Sequence, residues 1–390
     1  MGNKKSILVV TNYFPPEKGA ASNRMFSMVE GFSKQNYKVT VVCPLPNYPQ
    51  GKIFEGFKGK LYRKETTNFG EIYRLWLWPS NSSNKFVRLF SMISFSISLK
   101  LFFFLKRTPK KVVIQYSPVF VGFTAVFLSF LFRKKVILNV SDLWPLAGLE
   151  MGLLKKGFYY SLLTKMELFC YNHAYLILGQ SEEILSHIKK LGINKPLFLY
   201  RNYPEFNPPA FDNLGKKEPS IKIVYAGLLG VAQGLYNICS NITFNNNVSL
   251  HIYGAGPEAE KIKALNKEHI YYYGELERSV LHQELQNYDI GLVPLTNRIY
   301  GSVPSKIFEL SRLGIPVLYF SGGEGETIVK KYKIGWVVPV NNLTALQDFI
   351  STITVESLTS FPKKEAQKNA FANFDFNNQF LLLEEKIKAI

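Results

Sequence analysis

Residues 6–42 read SILVVTNYFPPEKGAASNRMFSMVEGFSKQNYKVTVV and alternate between two kinds of pattern. The short, apolar, β-branched runs at Ser6–Val10 and Val39–Val42 are typical of buried strands. Between them, Ala20–Ser33 has apolar residues at helical spacing, which favours an amphipathic helix. A strand, a helix and a second strand in this order predict a parallel βαβ unit.

The same alternation continues in two blocks along the 390-residue chain. Further strands are predicted in the first block at Val112–Tyr116, Val136–Val140, Tyr175–Leu178 and Leu197–Tyr200, and in the second at Lys222–Ala226, Val248–Tyr253, Ile270–Tyr273, Ile290–Val293, Pro316–Phe320 and Gly335–Val338. A segment rich in proline, asparagine and charge separates the blocks and is typical of a linker. We therefore predict an α/β protein with a first domain at 1–200, a linker at 201–220, a second domain at 221–370 and a final helical segment at 371–390.

The positive charge of the chain lies in its first half. Residues 1–200 hold 28 Lys+Arg and 10 Asp+Glu, whereas residues 201–390 hold 19 of each, so the first half carries the whole net charge of +18. A field of this size attracts polyanions. The segment Lys85–Lys111 is strongly apolar and bracketed by basic residues, which is typical of a helix in the interface of an anionic membrane. An ordinary buried helix with basic ends is the alternative.

Nucleic acid is not favoured as the partner, because the excess charge accompanies this apolar segment and the sequence contains no recognised nucleic-acid module. The uncharged segment Val112–Phe132 contains glutamine, serine, proline and glycine, which favours a strand, a turn and a helix over a membrane span. The apolar run Ile7–Val10 is too short for the core of a signal peptide. The three cysteines are widely separated, as in a protein of the reduced cytoplasm.

Candidate ligand-binding residues lie in the loops after the predicted strands, because open α/β sheets bind ligands beyond the carboxyl ends of their strands. The strongest feature is Gly301–Glu309, GSVPSKIFE. Ser302 suits the N-cap of a helix. The backbone N–H groups of Val303 and Ser305, together with Lys306, would hold a diphosphate.

Glu309 lies three residues after Lys306 on the same helix face, where its carboxylate could hydrogen-bond a ribose. The alternative is that Glu309 pairs with Lys306 or Arg312 on a solvated face. The sequence has no Asp-x-Asp and no pair of histidines with metal-ligand spacing, so we predict neither a metal nor a cofactor.

Two glycine-containing loops of the second block add candidates. Gly254 and Gly256 open a helix after a strand, either as a weak dinucleotide fingerprint or as a turn that needs glycine for its geometry alone. Gly323 and Glu324 belong to a second glycine cluster, which could close around a sugar or a phosphate or be only a flexible turn.

The first block offers an anion site and an acid. Small residues from Gly19 to Ala21 begin a helix and leave backbone N–H groups accessible to an anion, with Arg24 one turn later. Asp142 follows a strand, so its carboxylate is placed to accept a proton from an attacking hydroxyl. The alternative for Asp142 is the cap of a turn before Pro145.

In their order and spacing these motifs resemble the family-4 glycosyltransferases of GT-B architecture, and most closely a bacterial branch that includes N-acetyl-fucosamine transferases of surface-polysaccharide assembly. The resemblance covers nearly the whole chain and rests on Tyr13–Arg24, Pro46–Lys52, Asp142–Pro145, Tyr225–Leu235, Gly254–Glu258, Asp289–Pro294, Pro304–Glu309 and Gly323–Glu326. It implies two Rossmann-like domains facing each other across a cleft, with the donor in the second, the acceptor in the first and a final helix that returns to the first domain.

The resemblance also implies individual roles. Glu309 matches the second glutamate of the family's E-x7-E motif, which contacts ribose, and Gly227 joins the donor-binding residues. Asn47, Lys52 and Trp144 join Asp142 in binding the acceptor. The chain departs from the family at four positions, because Gly301 replaces the first glutamate of the motif and Leu228, Val231 and Gln233 replace its usual basic residues. The donor phosphates then depend on Lys306, on helix N-termini and on Arg24 or Arg298.

The sequence therefore predicts a metal-independent hexosyltransferase with Asp142, Lys306 and Glu309 as its catalytic residues. The donor would be a nucleotide-diphosphate sugar, linked to UDP, and the acceptor a polyprenyl-diphosphate-linked saccharide of bacterial O-antigen or capsule synthesis. The protein would lie in the cytoplasm, peripheral on the inner face of the cytoplasmic membrane. Two alternatives stay open: a sugar-nucleotide epimerase of the same fold, with Glu324 and Glu326 as its acids, and a degenerate, non-catalytic transferase subunit.

Overall fold

Two α/β units make up the chain in the computed structural model, which describes residues 5–80, 82, 84–207, 220–296 and 298–390. Unit 1 comprises residues 1–202 and 377–390, and unit 2 comprises residues 203–376. Most of the predicted linker, residues 208–219, lies outside the described residues. The side chains of Lys85 and Arg88 lie outside the description as well.

Unit 1 contains eight strands and seven helices among its described residues. In chain order these are β1 Ser6–Val10, α1 Ala20–Lys34, β2 Lys38–Pro44, β3 Tyr62–Thr66, β4 Gly70–Leu75, α2 Lys85–Leu105, β5 Lys111–Gln115, α3 Val119–Leu131, β6 Lys135–Val140, α4 Leu146–Glu150, α5 Phe158–His173, β7 Leu176–Gly179, α6 Glu182–Lys190, β8 Leu197–Leu199 and, from the end of the chain, α15 Phe376–Lys388.

The strands of unit 1 form one sheet in the order β3-β4-β2-β1-β5-β6-β7-β8. Every neighbouring pair is parallel except β3 with β4. The central strand β1 is buried from Ile7 to Val10, as expected of a strand covered on both faces. The prediction of a strand and a helix within Val112–Phe132 is confirmed by β5 and α3. In the part of the chain that the structure describes, no helix has both the length and the apolar character needed to cross a bilayer.

The final helix, α15, packs within unit 1. The ring of Phe380 lies edge-on to Phe32 of α1, with centroids 5.0 Å apart. The side chain of Gln379 accepts from the N–H of Arg201 at 2.8 Å and donates to its carbonyl at 3.0 Å. These contacts attach α15 to α1 and to the end of the segment that follows β8.

Unit 2 contains six strands and eight α-helices among its described residues. In chain order these are β9 Ile221–Ala226, α7 Leu235–Asn241, β10 Val248–Tyr253, α8 Ala259–Ala264, β11 Ile270–Gly274, α9 Arg278–Glu284 with a 3₁₀ turn at Leu285–Asn287, β12 Ile290–Pro294, α10 Lys306–Arg312, β13 Val317–Phe320, α11 Glu324–Lys331, β14 Gly335–Val338, α12 Leu343–Thr352, α13 Val355–Ser360 and α14 Lys363–Asn373.

The sheet of unit 2 is wholly parallel, in the order β11-β10-β9-β12-β13-β14. Alternate residues of its strands enter two separate apolar cores. In β9, for example, Ile223 and Tyr225 belong to one core and Val224 and Ala226 to the other. A strand buried on both faces in this way is apolar throughout, which is why the parallel strands are recognisable in the sequence.

Candidate functional site

The strand order of unit 2 reverses direction between β9 and β12, and ligands of doubly wound sheets bind beyond the carboxyl ends of the strands at such a point. Three segments leave the sheet at this edge: the loop after β9, the loop after β10 and the segment between β12 and α10. The candidate donor residues of the second block lie on these segments, on α10, or on the loop after β13 and the start of α11.

The glycines after β10 are explained by the close approach of two loops. Gly254 has φ +142°, and a Cβ atom there would lie 1.8 Å from the carbonyl oxygen of Gly227. A Cβ atom on Gly256 would lie 2.4 Å from the carbonyl oxygen of Leu229. The N–H of Gly227 in turn donates to the carbonyl of Tyr253 at 3.0 Å. The geometric alternative therefore accounts for both glycines, and a contact of Gly227, Gly254 or Gly256 with a ligand stays a prediction.

Helix α10 begins later than the sequence predicts. Ser305, not Ser302, is its N-cap, and Lys306 is the first helical residue. The chain enters the helix through a tight turn, in which the N–H of Ile307 donates to the carbonyl of Pro304 at 3.2 Å. Among the described residues, the N–H groups of Val303 and Ser305 find no acceptor, and their contact with an anion stays a prediction.

The side chain of Glu309 lies at the centre of a cationic cluster. Its Oε2 lies 2.7 Å from Nζ of Lys306, and its Oε1 accepts a hydrogen bond of 2.7 Å from Nε2 of His282. Nε of Arg278 is 3.9 Å from the same Oε1. The Glu309 side chain is 8% exposed, whereas the side chains of Lys306 and Arg278 are 30% and 48% exposed, so both of these cations reach solvent.

This cluster keeps Glu309 ionised. Burial alone would raise the pKa of its carboxyl group, but the charge of Lys306, the hydrogen bond from His282 and the charge of Arg278 outweigh burial and lower the pKa. The alternative of a solvated face is wrong, because Glu309 is buried. Pairing with Lys306 is confirmed, whereas Arg312 lies 3.6 Å from Asp375 instead.

His282 and Arg278 were missed in the sequence. Both lie on α9, and His282 is 27 residues before Glu309, so no local pattern joins them. The signal that could have found them is topological, because the crossover from β11 to β12 places α9 on the same face of the sheet as α10.

The second glycine cluster lies beside another cation. Gly323 has φ +77° and is the N-cap of α11, and Glu324 in the first turn of that helix is buried. A Cβ atom on Gly323 would lie 2.8 Å from Nε of Arg298, so the guanidinium lies against this turn. Tyr319 fixes the turn by donating its hydroxyl to the carbonyl of Gly322 at 3.1 Å.

In unit 1, a buried acid joins the loop after β1 to the loop after β2. Glu17 accepts from the N–H groups of Asn47 and Tyr48 at 2.8 and 2.9 Å. Burial raises the pKa of Glu17, and these backbone hydrogen bonds oppose the rise. The backbone of Asn47 therefore has a structural role. Of the other candidates in these loops, Lys52 is exposed, and Gly19 is the N-cap of α1 with φ +144°.

Arg24 is buried in unit 1 rather than exposed to a phosphate. Its Nε and one terminal nitrogen donate to Oδ1 of Asn139 at 3.2 and 2.8 Å, and that nitrogen also donates to the carbonyl of Tyr200 at 2.6 Å. Burial lowers its pKa to about 10, against the charges of Tyr200 and Asp142. These bonds give Arg24 a structural role, and contact with a donor stays a prediction.

Asp142 leaves the carboxyl end of β6 and reaches solvent. The protein around the carboxyl group nonetheless raises its pKa, an effect that the charge of Arg24 opposes. The neighbouring Trp144 is half-buried, and its carbonyl accepts from the hydroxyl of Tyr116 at 3.0 Å. The structure therefore holds the backbone of this loop in place, and Asp142 as a residue is exposed although part of the protein surrounds its carboxyl group.

No group of three or more His, Cys, Asp or Glu side chains in the described ranges is arranged to hold a metal ion.

Comparison with protein families gives a match for unit 2. Residues 222–354 match the family model described as "Glycosyl transferases group 1". The matched segment runs from β9 to the end of α12 and includes Lys306, Glu309 and both of the partners on α9. No curated protein matches the chain.

Solved structures show that the likeness of fold extends over both units of the chain. Sucrose-phosphate synthase from Thermosynechococcus elongatus is 13% identical, with a TM-score of 0.73, over 99% of this chain and 98% of that chain. HepE from Anabaena in complex with UDP-glucose is 13% identical, with a TM-score of 0.65, over 99% of this chain and 100% of that one. The lipopolysaccharide outer core galactosyltransferase WaaB is 16% identical, with a TM-score of 0.60, over 98% of this chain and 99% of that chain. The predicted fold of two Rossmann-like domains, as in GT-B glycosyltransferases, is thereby confirmed.

Proposed function

We propose that the protein is a glycosyltransferase that moves a sugar from a UDP-sugar to a hydroxyl of a polyprenyl-diphosphate-linked saccharide. The observation that carries the proposal is the group 1 match, which includes the Lys306–Glu309 pair at the edge of the sheet where doubly wound folds bind ligands. The complexes of HepE with UDP and with UDP-glucose support a UDP-sugar as the donor. In this proposal the acceptor belongs to surface-polysaccharide synthesis, as in the N-acetyl-fucosamine transferase branch that the sequence resembles.

In unit 2, Lys306 and Glu309 exchange partners when the donor binds. The ammonium group of Lys306 is partly exposed and turns from Glu309 to the diphosphate, joined there by the N–H groups of Val303 and Ser305. This frees Oε2 of Glu309 to accept a hydrogen bond from the ribose, while His282 retains Oε1. Barrier lowering comes from stabilising the departing diphosphate with groups already in place, and no metal ion takes part.

The acceptor hydroxyl is handled in unit 1. Asp142 accepts its proton, and a raised pKa suits that role because the carboxylate is a stronger base than an unperturbed one. Asn47, Lys52 and Trp144 orient the acceptor saccharide.

A thermal-shift screen of nucleotides and nucleotide sugars in the presence of a metal chelator tests the donor. We expect UDP and one UDP-sugar to raise the melting temperature, since a ligand at 100 times its Kd stabilises the folded state by about 2.7 kcal/mol. The stabilising donor is then incubated with a polyprenyl-diphosphate-linked saccharide, and transfer is measured. Interconversion of UDP-sugars without acceptor would support the epimerase instead, and binding without turnover would support the non-catalytic subunit.

Substitution of Asp142 tests the catalytic role. We expect Asp142→Asn to lower kcat by about 100- to 10,000-fold, because it removes the proton acceptor and keeps the shape of the side chain. The UDP-induced thermal shift should be unchanged, since the donor residues of the proposal lie in unit 2. Asp348→Asn, at an exposed position of α12, is the matched control. A kcat within threefold of the wild type would remove Asp142 from the mechanism.

A further inference from the structure

Helix α2 presents an apolar face to solvent. Its exposed side chains recur every three or four residues and therefore lie along one side of the helix. We call this set the α2 stripe; it consists of Phe86, Phe90, Ile93, Ile97, Leu101 and Phe104, with exposures between 39% and 81%. A surface helix ordinarily places its polar residues on this side.

The opposite face of α2 shows that the stripe is not needed for the core of unit 1. Phe95 and Leu99 are wholly buried there, together with Ser94 and Ser96. The hydroxyl of Ser94 accepts from the N–H of Trp78 at 2.8 Å, so this buried serine has a hydrogen-bond partner in the interior. The helix thus buries Ser94 and Ser96 on one side while the phenylalanines of the α2 stripe are exposed on the other, an arrangement that predicts an apolar environment outside it.

The apolar surface continues onto α3. The ring of Phe104 lies edge-on to Phe132, with centroids 5.3 Å apart, at the ends of the two helices. On α3, Phe130 and Leu131 are 55% and 53% exposed. The exposed apolar area therefore spans two adjacent helices and is larger than scattered single residues would give.

The charge around this surface has one sign. Residues 72–141 contain 11 Lys+Arg and no Asp or Glu. Lys106, Arg107 and Lys110 follow the last turn of α2 and are exposed, as is Arg133 just after α3. Phenylalanine and leucine bordered by lysine and arginine match the chemistry of an anionic lipid surface, whose headgroups attract the cations while the interface accepts the apolar side chains.

We propose that the α2 stripe is the surface by which unit 1 lies on an anionic bilayer, with α2 parallel to the plane of the membrane. The helix begins at the edge of the sheet where β4 ends, and β4 runs parallel to β6, so the loop with Asp142 leaves the sheet at that same edge. A bilayer along the stripe would therefore lie beside the candidate acceptor loop. This inference rests on the proposed function in one respect, because it gives the lipid-linked acceptor its route to Asp142.

Vesicle co-sedimentation tests the surface directly. The wild-type protein is mixed with vesicles of phosphatidylglycerol and phosphatidylcholine, or of phosphatidylcholine alone. The stripe variant carries Phe90→Gln, Ile97→Gln and Leu101→Gln. Its matched control carries Leu381→Gln and Leu382→Gln on α15, two exposed leucines of the same unit. A charge variant carries Lys106→Glu, Arg107→Glu and Lys110→Glu.

We expect the wild type and the α15 control to bind the anionic vesicles at least tenfold more tightly than the neutral ones. The stripe variant should lose at least tenfold in this affinity. The charge variant should lose a similar factor at low salt, with a smaller difference from the wild type at high salt because salt screens the attraction. Equal binding of the stripe variant and the wild type, or no vesicle binding by the wild type, would overturn the inference.

Size-exclusion chromatography tests whether a second copy of this chain, rather than a membrane, covers the α2 stripe. A wild type that is dimeric and a stripe variant that is monomeric would show that a second copy covers the stripe, and this would also overturn the proposal. The thermal shift with UDP, measured on every variant, separates the two proposals. Vesicle binding that depends on the stripe, without any response to nucleotides, would leave the membrane surface intact and refute the donor instead.

Discussion

Replacing Lys306 with alanine is expected to lower kcat/KM for the UDP-sugar by about 100- to 1000-fold, the effect of removing one group that stabilises charge in a transition state. In the proposed mechanism Lys306 is the only side-chain cation assigned to the diphosphate. The departing diphosphate gains negative charge as the bond to the sugar breaks, so the loss should appear in kcat as well as in KM.

The fold should tolerate this change. Glu309 keeps its hydrogen bond from His282 and the nearby charge of Arg278, so its buried carboxylate is not left without a partner. The Lys306 side chain is itself 30% exposed, so its removal creates no closed cavity. We therefore expect the melting temperature without ligand to change little, and the stabilisation by UDP to decrease.

Lys330→Ala is the matched control for Lys306→Ala. Lys330 also lies in unit 2 and pairs with a glutamate one turn away, Glu326, at 2.6 Å, but on the exposed side of α11. It should leave both kcat/KM and the UDP shift unchanged. Equal losses in the two variants would indicate a general effect of charge or stability, and full activity of Lys306→Ala would exclude Lys306 from the reaction.

The parallel strands could be predicted closely where they form continuous apolar runs, as strands covered on both faces do. β1, β10 and β14 begin and end at the predicted residues. The edge strand β3 and its antiparallel neighbour β4 could not be predicted in this way. β3 alternates exposed and half-buried residues and is held by pairing with β4, including an ion pair of 2.9 Å between Arg74 and Glu65. Such pairing depends on a neighbour in space, which a single run of residues does not reveal.

The candidate site, like the fold, could be predicted from the sequence only in part. The sequence offered the pairing of Glu309 with Lys306 or Arg312 only as an alternative to a ribose contact, because each lies three residues from Glu309 on one helix. It misplaced the start of α10, because a serine and a proline also suit a turn that precedes a helix. It also missed His282, whose bond to Glu309 exists only after α9 packs beside α10.

Replacing Glu167 with glutamine is expected to stabilise the protein at pH 8 and to have little effect at pH 4. Glu167 lies on α5 and is 3% exposed. Tyr171 donates its hydroxyl to Oε1 of Glu167 at 2.9 Å, and no ion pair to this carboxyl is found in the described part of the chain. Burial raises its pKa to about 7, and the hydrogen bond from Tyr171 only partly opposes the rise.

The direction follows from the two protonation states. Between pH 4.5 and about 7 the unfolded chain has lost this proton and the folded protein still holds it, so the free energy of unfolding falls as the pH rises. Above pH 7 the folded protein holds a buried carboxylate, and the free energy of unfolding falls no further as a result of this group. Glutamine is never ionised and can still accept from Tyr171. The variant should therefore exceed the wild type by on the order of 3 kcal/mol at pH 8.

Urea unfolding at pH 4, 6 and 8, followed by tryptophan fluorescence, measures this difference. Three of the four tryptophans lie in unit 1, so the signal reports mainly on the unit that contains Glu167. Glu55→Gln replaces a carboxylate that is 85% exposed in the same unit, and it should change the free energy of unfolding little at any of the three pH values. A stabilisation by Glu167→Gln that is the same at pH 4 and pH 8 would mean that packing, rather than ionisation, is responsible.

The position of Glu167 links this titration to the candidate acceptor loop, which carries Asp142. The ring of Tyr171 lies 6.0 Å from that of Tyr116, whose hydroxyl donates to the carbonyl of Trp144. Ionisation of Glu167 above pH 7 therefore places a negative charge beside Tyr171. Tyr171 in turn lies against Tyr116, which hydrogen-bonds the backbone of the loop that carries Asp142. We expect the wild type to lose transfer activity between pH 7 and 8 relative to Glu167→Gln, and UDP binding in unit 2 to be unaffected. Parallel pH profiles of the two proteins would show that the buried acid acts on stability alone.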